Sequence, residues 1–74
     1  MDILSQLKEI EGKDLILKLG DEGRELKGKI SKIHEKHKAI TAEYYDPDLG
    51  AGAGILVSFE NIESISEDLV VFKK

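Results

Sequence analysis

The stretch that decides the fold is residues 12–30, which read GKDLILKLGDEGRELKGKI. Two runs of alternating apolar and polar residues flank a Gly-rich acidic turn at residues 20–23, and this pattern predicts a β-hairpin. Gly28 lies in the middle of the second run, where glycine is typical of a sharp bend or a close approach of two backbones. A strongly bent second strand is what a very small barrel needs to close. We therefore predict a small β-barrel built on this hairpin.

A short helix is predicted before the hairpin, over residues 2–10. Asp2 is a typical N-cap, and the apolar residues that follow it repeat at helical spacing. Gly12 is a typical C-terminal stop. A helix of two turns is unstable alone, so we expect its apolar face to dock on an open end of the barrel. That face consists of Ile3, Leu4, Leu7 and Ile10.

Alternating apolar residues predict five strands, at residues 14–19, 24–34, 38–45, 55–59 and 62–66. The alternation shifts by one residue at Ile33, so a bulge is expected near residues 31–32. Residues 49–54 are rich in glycine and predict a flexible loop. Residues 69–72 are consistent with a further strand or with an ordered tail.

These elements predict a mainly β chain with an SH3-like, five-stranded small barrel and a short N-terminal helix. The 74 residues suffice for one domain, with the helix in residues 1–11 and the barrel in residues 12–74. No linker and no internal repeat interrupt them.

Composition narrows the class of protein. A chain of this length buries only about 60% of its unfolded surface, and small domains without cysteines often gain burial by oligomerising. The chain has no cysteine, which fits a reducing cytoplasm. The acidic start and the spaced apolar residues predict no signal peptide and no membrane span.

Charge is distributed unevenly along the chain. The formal net charge is −4, which argues against a nucleic-acid binder. However, residues 24–38 contain six basic and two acidic side chains, a local charge of +4 that leaves −8 for the remainder. This asymmetry indicates either a surface that faces a polyanion or a solvated, lysine-rich strand face.

The order of these features resembles the first motif of the Sm/LSm family. The matching segments are Gly-Lys at 12–13, the strand at 15–19, the turn at 21–23, the polar pair at 24–25, the hydrophobic-x-Gly-x-hydrophobic step at 26–30 and the loop at 34–38. The second Sm motif, a strand, a short turn with Asn-Ile and a final strand, resembles residues 55–65. The resemblance covers nearly the whole chain. It implies a homo-oligomeric ring in which the fourth strand, residues 55–59, pairs with the fifth strand, residues 62–66, of the next subunit.

The same resemblance implies a place for RNA. In Sm-like proteins the loop after the bent strand carries an acidic residue, a residue that stacks on a base and an asparagine that reads the base. The positions here are His34, His37 and Lys38, and Glu60-Asn61 stand where the family has an Arg-Gly pair. The RNA-binding residues predicted in this way, with the neighbouring lysine, are His34, Lys36, His37, Lys38 and Asn61.

The C-terminal domain of the bacterial ribosome maturation factor is also similar. It shares a Gly-Lys start, a hydrophobic-x-Gly-x-hydrophobic strand and a closing stretch like residues 56–62. That family acts on the small ribosomal subunit, so this resemblance implies a ribosome-associated module.

The side chains of residues 34–38 allow other readings. Imidazole and lysine on a loop suit base stacking and phosphate contact, but the same residues also suit a polar loop without a ligand. His34 and His37 would need a third ligand to hold a metal, and we predict neither a metal site nor a cofactor. Residues 50–54 resemble a phosphate-binding loop only superficially, because no helix and no Lys-Ser/Thr pair follows.

No catalytic motif is present, so we predict that the protein is not an enzyme.

The sequence supports two hypotheses for the function of the protein. The first hypothesis is a cytoplasmic, RNA-associated Sm-like homo-oligomer that binds single-stranded RNA weakly through its pore loops. The alternative is a small-barrel adaptor for a protein or ribosomal partner, which lacks a uridine pocket and docks partners on an open strand edge or on the outward lysine face.

Overall fold

The computed structural model describes residues 2–20 and 23–73, in which one short helix and six strands form a mainly β domain. The elements are α1 Ile3–Ile10, β1 Leu15–Leu19, β2 Arg24–His34, β3 Ala39–Asp46, β4 Ala51–Ser58, β5 Ile62–Ile65 and β6 Leu69–Phe72. Two single-turn 3₁₀ helices, η1 Glu35–His37 and η2 Phe59–Asn61, connect β2 to β3 and β4 to β5. Asp21 and Glu22 of the predicted hairpin turn lie outside the described residues.

The predicted helix and its caps are confirmed. The Asp2 carboxylate accepts a hydrogen bond from the backbone N–H of Ser5 at 2.8 Å, which satisfies a donor that the first turn leaves free. Leu7 and Ile10 are buried in the core. Gly12 ends the helix with φ +79°, and its N–H donates to the Ile30 carbonyl at 2.9 Å, which ties the end of α1 to β2.

The six strands form one mixed sheet in the order β4-β3-β2-β1-β6-β5. β1 pairs with β6 in parallel, and the other neighbouring pairs are antiparallel. The first half of β2 pairs with β1 and the second half pairs with β3. Gly28 is the one residue of β2 that has partners on both sides, Leu15 and Tyr44.

The backbone approaches closely at Gly28, as its position in the second run predicts. A Cβ at this position would overlap the Glu43 carbonyl oxygen and would lie 2.8 Å from Cδ1 of Leu17. Only glycine therefore allows β2 to cross the core at this distance from β3.

A bulge interrupts β2 where it was predicted. The register with β3 shifts between Ile30 and Lys32, and the Ser31 hydroxyl donates to the Thr41 carbonyl at 3.2 Å. The extra residue returns Ile33 to the core side, where it packs against the buried cluster.

The prediction of a flexible loop at residues 49–54 is wrong for four of these six residues. Residues 51–54 are the start of β4 and pair with residues 43–46 of β3. Glycine and alanine have low strand propensity, but the backbone hydrogen bonds to β3 need no side chain, so tertiary pairing overrides that propensity.

The prediction of a closed, five-stranded barrel is also wrong, because the sheet has six strands and does not close. The apolar segment at residues 69–72 is a strand, and β6 takes the position beside β1. β5 then pairs with β6. Among the described residues, β4 and β5 remain as the two unpaired edges.

The core lies on one side of this sheet, under α1. It contains inward residues of β1, β2, β3 and β6, Ile62 of β5 and two residues of the helix. The fully buried members are Leu7, Leu17, Ile30, Ile40 and Val70. Tyr44 packs against this core whereas Tyr45 points outward and is 54% exposed, as the alternation along β3 predicts.

We expect Gly28→Ala to destabilise the fold by about 1–3 kcal/mol, because the added methyl group must displace the β3 backbone. The measurement is urea unfolding followed by circular dichroism. Gly54→Ala is the matched control, since a Cβ there would meet only the Ala42 carbonyl at 3.7 Å. Equal stability of the two variants would contradict the close approach at Gly28.

We expect Asp2→Ala to lower the melting temperature at neutral pH, with the difference from wild type shrinking in acid. The hydrogen bond from the Ser5 backbone holds the pKa of Asp2 below its usual value. A carboxyl with a lowered pKa stabilises the fold above its unfolded-state pKa, and this contribution disappears as the pH falls through the folded-state value. Melting curves from pH 2 to 7 test this. A deficit that stays constant with pH would show that the carboxylate charge does not stabilise α1.

Candidate nucleic-acid interface

Two turns that are far apart in sequence meet at one end of the sheet. η1 follows β2, and η2 follows β4. The backbone N–H of Phe59 donates to the Lys38 carbonyl at 2.8 Å, and Ala39 pairs with Ser58 in the register of β3 and β4. This end of the molecule, residues 34–38 with η2, is called the loop end below.

The loop end contains all five residues that the sequence predicted for RNA binding. Lys36, His37 and Lys38 are exposed, and Asn61 is exposed beside them in η2. The Asn61 carbonyl accepts a hydrogen bond from the Lys73 backbone at 2.7 Å, so its main chain is fixed while its side chain faces solvent.

His34 differs from the other four residues. It is the last residue of β2 and is half-buried, and its Nε2 lies 2.7 Å from the Thr41 hydroxyl on β3. One of its two ring nitrogens therefore stabilises the β2–β3 connection. No pattern in the sequence predicts this contact, because Thr41 reaches His34 only through the pairing of the two strands.

Lys38 has an unusual backbone conformation. Its φ is +48°, in the left-handed region, and its N–H donates to the Glu35 carbonyl at 3.2 Å. A non-glycine residue in this region adds a modest strain that the surrounding structure must hold. The turn places the Lys38 side chain at the loop end beside η2.

The basic segment at residues 24–38 does not form one surface. Arg24 lies at the far end of β2 from η1, and its Nη2 contacts Asp46 at 3.3 Å and Asp48 at 3.1 Å. Burial alone would raise the pKa of Asp46, but the N–H of Asp48 and the Arg24 guanidinium outweigh it and hold that pKa below its usual value. The charge of Arg24 is thus matched by carboxylates.

The other lysines of the segment follow the outer face of β2 toward the loop end. Lys27 and Lys29 alternate outward, and the bulge places Lys32 opposite Thr41 on the same face. Lys36 and Lys38 continue the series at η1. The alternation predicts the first two positions, but the placement of Lys32 depends on the bulge.

The loop end also carries two exposed carboxylates, Glu35 in η1 and Glu60 in η2, beside Lys36 and Lys38. Glu35 contacts Lys8 of α1 at 3.5 Å, and both side chains are more than half exposed, so this pair contributes little stability. It does partly neutralise the one acidic side chain of η1. The remaining exposed cations and the His37 imidazole suit weak contact with phosphates and bases.

Across residues 2–20 and 23–73, the structure has no group of three or more His, Asp or Glu side chains placed to hold a metal ion. Within the same residues, no helix is long and apolar enough to span a bilayer.

Comparisons of the chain with protein-family models, with curated proteins and with solved structures find no match. The structure itself establishes a small, six-stranded mixed sheet with an N-terminal helix.

We expect His34→Ala to lower the free energy of unfolding by about 1 kcal/mol, because it removes a part-buried hydrogen bond to Thr41. His37→Ala is the matched control, since the His37 side chain is exposed. Chemical denaturation of both variants measures the difference. Equal losses would indicate that His34 does not stabilise the β2–β3 connection.

Proposed function

We propose that the protein is an RNA-associated, Sm-like homo-oligomer. The observation that carries the proposal is the state of the two sheet edges: β4 and β5 both lack a partner strand among the described residues. Exposed edges are a liability that proteins cover or pair. Pairing of residues 55–58 of one copy with β5 of the next would cover β5 and the second half of β4, and repetition of this head-to-tail contact forms a ring where the rotation between copies closes.

Exposed apolar surface on β4 supports such a seam. Leu56 is 71% exposed on the outer side of the strand, and the eight residues of β4 include no charged side chain. Uncharged edge strands without proline readily add a further strand. A small domain with no cysteine also gains the burial that its own core cannot supply.

The loop end supports the RNA part of the proposal. The loop after β2 and the turn after β4 are the two segments that the Sm/LSm resemblance assigns to the pore, and in the fold they are adjacent. Lys36 and Lys38 would contact phosphates, and His37 would stack on a base. A formal charge of −4 on the whole chain makes weak, salt-sensitive binding the expected behaviour.

A second function uses the same edge differently. An adaptor would pair β4 with a strand of another protein rather than with a second copy. The exposed Leu56 on an unpaired strand favours this role in a monomer. The oligomeric state separates the two functions.

Native mass spectrometry at micromolar protein tests the assembly. A single species of five to eight subunits is expected. Leu56→Lys on β4 should shift that species toward monomer, whereas Leu49→Lys, in the β3–β4 turn, should not. A wild-type monomer would overturn the ring and leave the adaptor.

We expect Lys36→Gln/Lys38→Gln to weaken binding of single-stranded RNA and to reduce the slope of log K against log salt by about 1.4, the value for two phosphate contacts. The probes are oligo-U and a mixed-sequence RNA, in filter binding at several salt concentrations. Lys13→Gln/Lys18→Gln removes the same charge from the segment around β1 and is the control. Equal slopes for the two double variants, or no binding by wild type at low salt, would contradict RNA binding at the loop end.

A further inference from the structure

The two unpaired edges differ in length. β4 has eight residues and β5 has four. Pairing of β5 with residues 55–58 leaves residues 51–54 without a partner on their outer edge. This half of β4 is called the free half below, and such a seam leaves without a partner those of its backbone N–H and C=O groups that point away from β3.

The free half carries almost no side-chain bulk. Gly52 pairs with Tyr45 across the sheet, and Gly54 pairs with Glu43. A side chain on a strand added beside β4 would therefore pass over a glycine and reach Tyr45 or Glu43 directly. Aromatic side chains often cover cross-strand glycines in this way.

A groove lies on the same face. Its volume is about 1040 Å³, and its walls include Tyr45, Gly52 and Gly54. The charged side chains that line it are three carboxylates against two lysines: Asp14, Glu43, Asp68, Lys27 and Lys29. The groove thus has an acidic balance.

Two charged residues of β3 pair with the free half, Glu43 opposite Gly54 and Asp46 opposite Ala51, and Asp46 is already engaged by Arg24. Glu43 is exposed on β3, and among the described residues its carboxylate makes no ion pair. Lys29 pairs with it in backbone register, but the two side chains do not come within salt-bridge distance. A cation on an added strand, opposite Gly54, would meet this carboxylate.

We propose that the free half of β4 is a strand-addition site for an extended, basic peptide segment of a partner protein. The peptide adds a strand to residues 51–54 through main-chain hydrogen bonds. A bulky apolar or aromatic residue lies opposite Gly52 and packs on Tyr45. A Lys or Arg two positions away lies opposite Gly54 and pairs with Glu43.

A second copy of this chain fits the free half less well. The exposed acidic residue of β5 is Glu63. Placed opposite Gly54, it would face Glu43 with like charge, which is destabilising across a sheet. The site is therefore independent of the proposed ring, and it exists in a monomer as well.

Binding of synthetic peptides tests the proposal. The probe is a fluorescein-labelled, C-terminally amidated Thr-Val-Tyr-Thr-Lys, which would run parallel to β4 opposite residues 50–54, with Tyr→Ala and Lys→Glu versions as matched controls, in fluorescence anisotropy at low salt. We expect the first peptide to bind about tenfold more tightly than either control, which corresponds to one good side-chain contact. Equal affinities, or no binding up to millimolar peptide, would overturn the proposal.

Two variants locate the site. Gly52→Leu should abolish peptide binding, because the new side chain takes the place of the incoming one beside Tyr45. It should leave the fold intact, since a Cβ there would meet only the Tyr44 carbonyl at 3.7 Å. Glu43→Lys should reverse the preference from the Lys peptide to the Glu peptide. Unchanged binding by both variants, with urea midpoints like wild type, would place the peptide elsewhere and overturn the proposal.

The outcome is separable from that of the proposed function. Native mass spectrometry of the same samples reports the oligomer, and peptide binding by either a ring or a monomer supports the free half as a site. Amide exchange adds a direct readout: the first peptide should slow exchange at those amides of residues 51–54 that point away from β3, and not at residues 55–58. Strong protection of these outward amides without peptide would show that the oligomer itself covers them, against this proposal.

Discussion

The close approach of three strands at Gly28 is the constraint on which the rest of the structure depends. This residue has Leu15 on one side and Tyr44 on the other, so it joins the β1–β2 hairpin to the β3–β4 hairpin. The Glu43 carbonyl and Leu17 occupy the space that a side chain would need. Because β2 can cross here, one sheet forms with its apolar residues gathered on the side that α1 covers.

The fold separates the cationic side chains of β2 into a paired group and an exposed group. Arg24 is held by carboxylates at one end of the strand, and the lysines that follow face outward toward η1. Residues 24–38 carry a net positive charge in the sequence, but in the fold the cation at one end is paired with carboxylates and the lysines toward the other end are not. Only the unpaired end can offer cations to a polyanion, which is why the proposed RNA contact is confined to the loop end.

The position of β6 decides what the sheet can associate with. β6 pairs in parallel with β1, and β5 pairs with the other side of β6. The sheet therefore continues past β1 and ends at β5. The two free edges are therefore unequal: a long, uncharged β4 and a short β5 that carries Glu63. In the proposed assembly, β4 would pair with a second copy over residues 55–58 and would still expose main-chain groups of residues 51–54.

The sequence by itself determined the local elements: the Asp2 cap, the strand phases, the bulge after Ile30 and the need for glycine at position 28. The cap and the strand phases rest on contacts between near neighbours, which residue type reports directly. Glycine at position 28 and the phase shift at Ile33 are visible in the sequence as well, although the atoms that require the glycine belong to Glu43 and Leu17. The start of β4 at Ala51, the parallel pairing of β6 and the open sheet were decided by tertiary structure, because they depend on which distant strand supplies backbone hydrogen bonds. The same is true of the loop end. Its exposed residues are predictable from polarity, but the His34–Thr41 contact and the meeting of η1 with η2 exist only once β3 has paired with both of its neighbours.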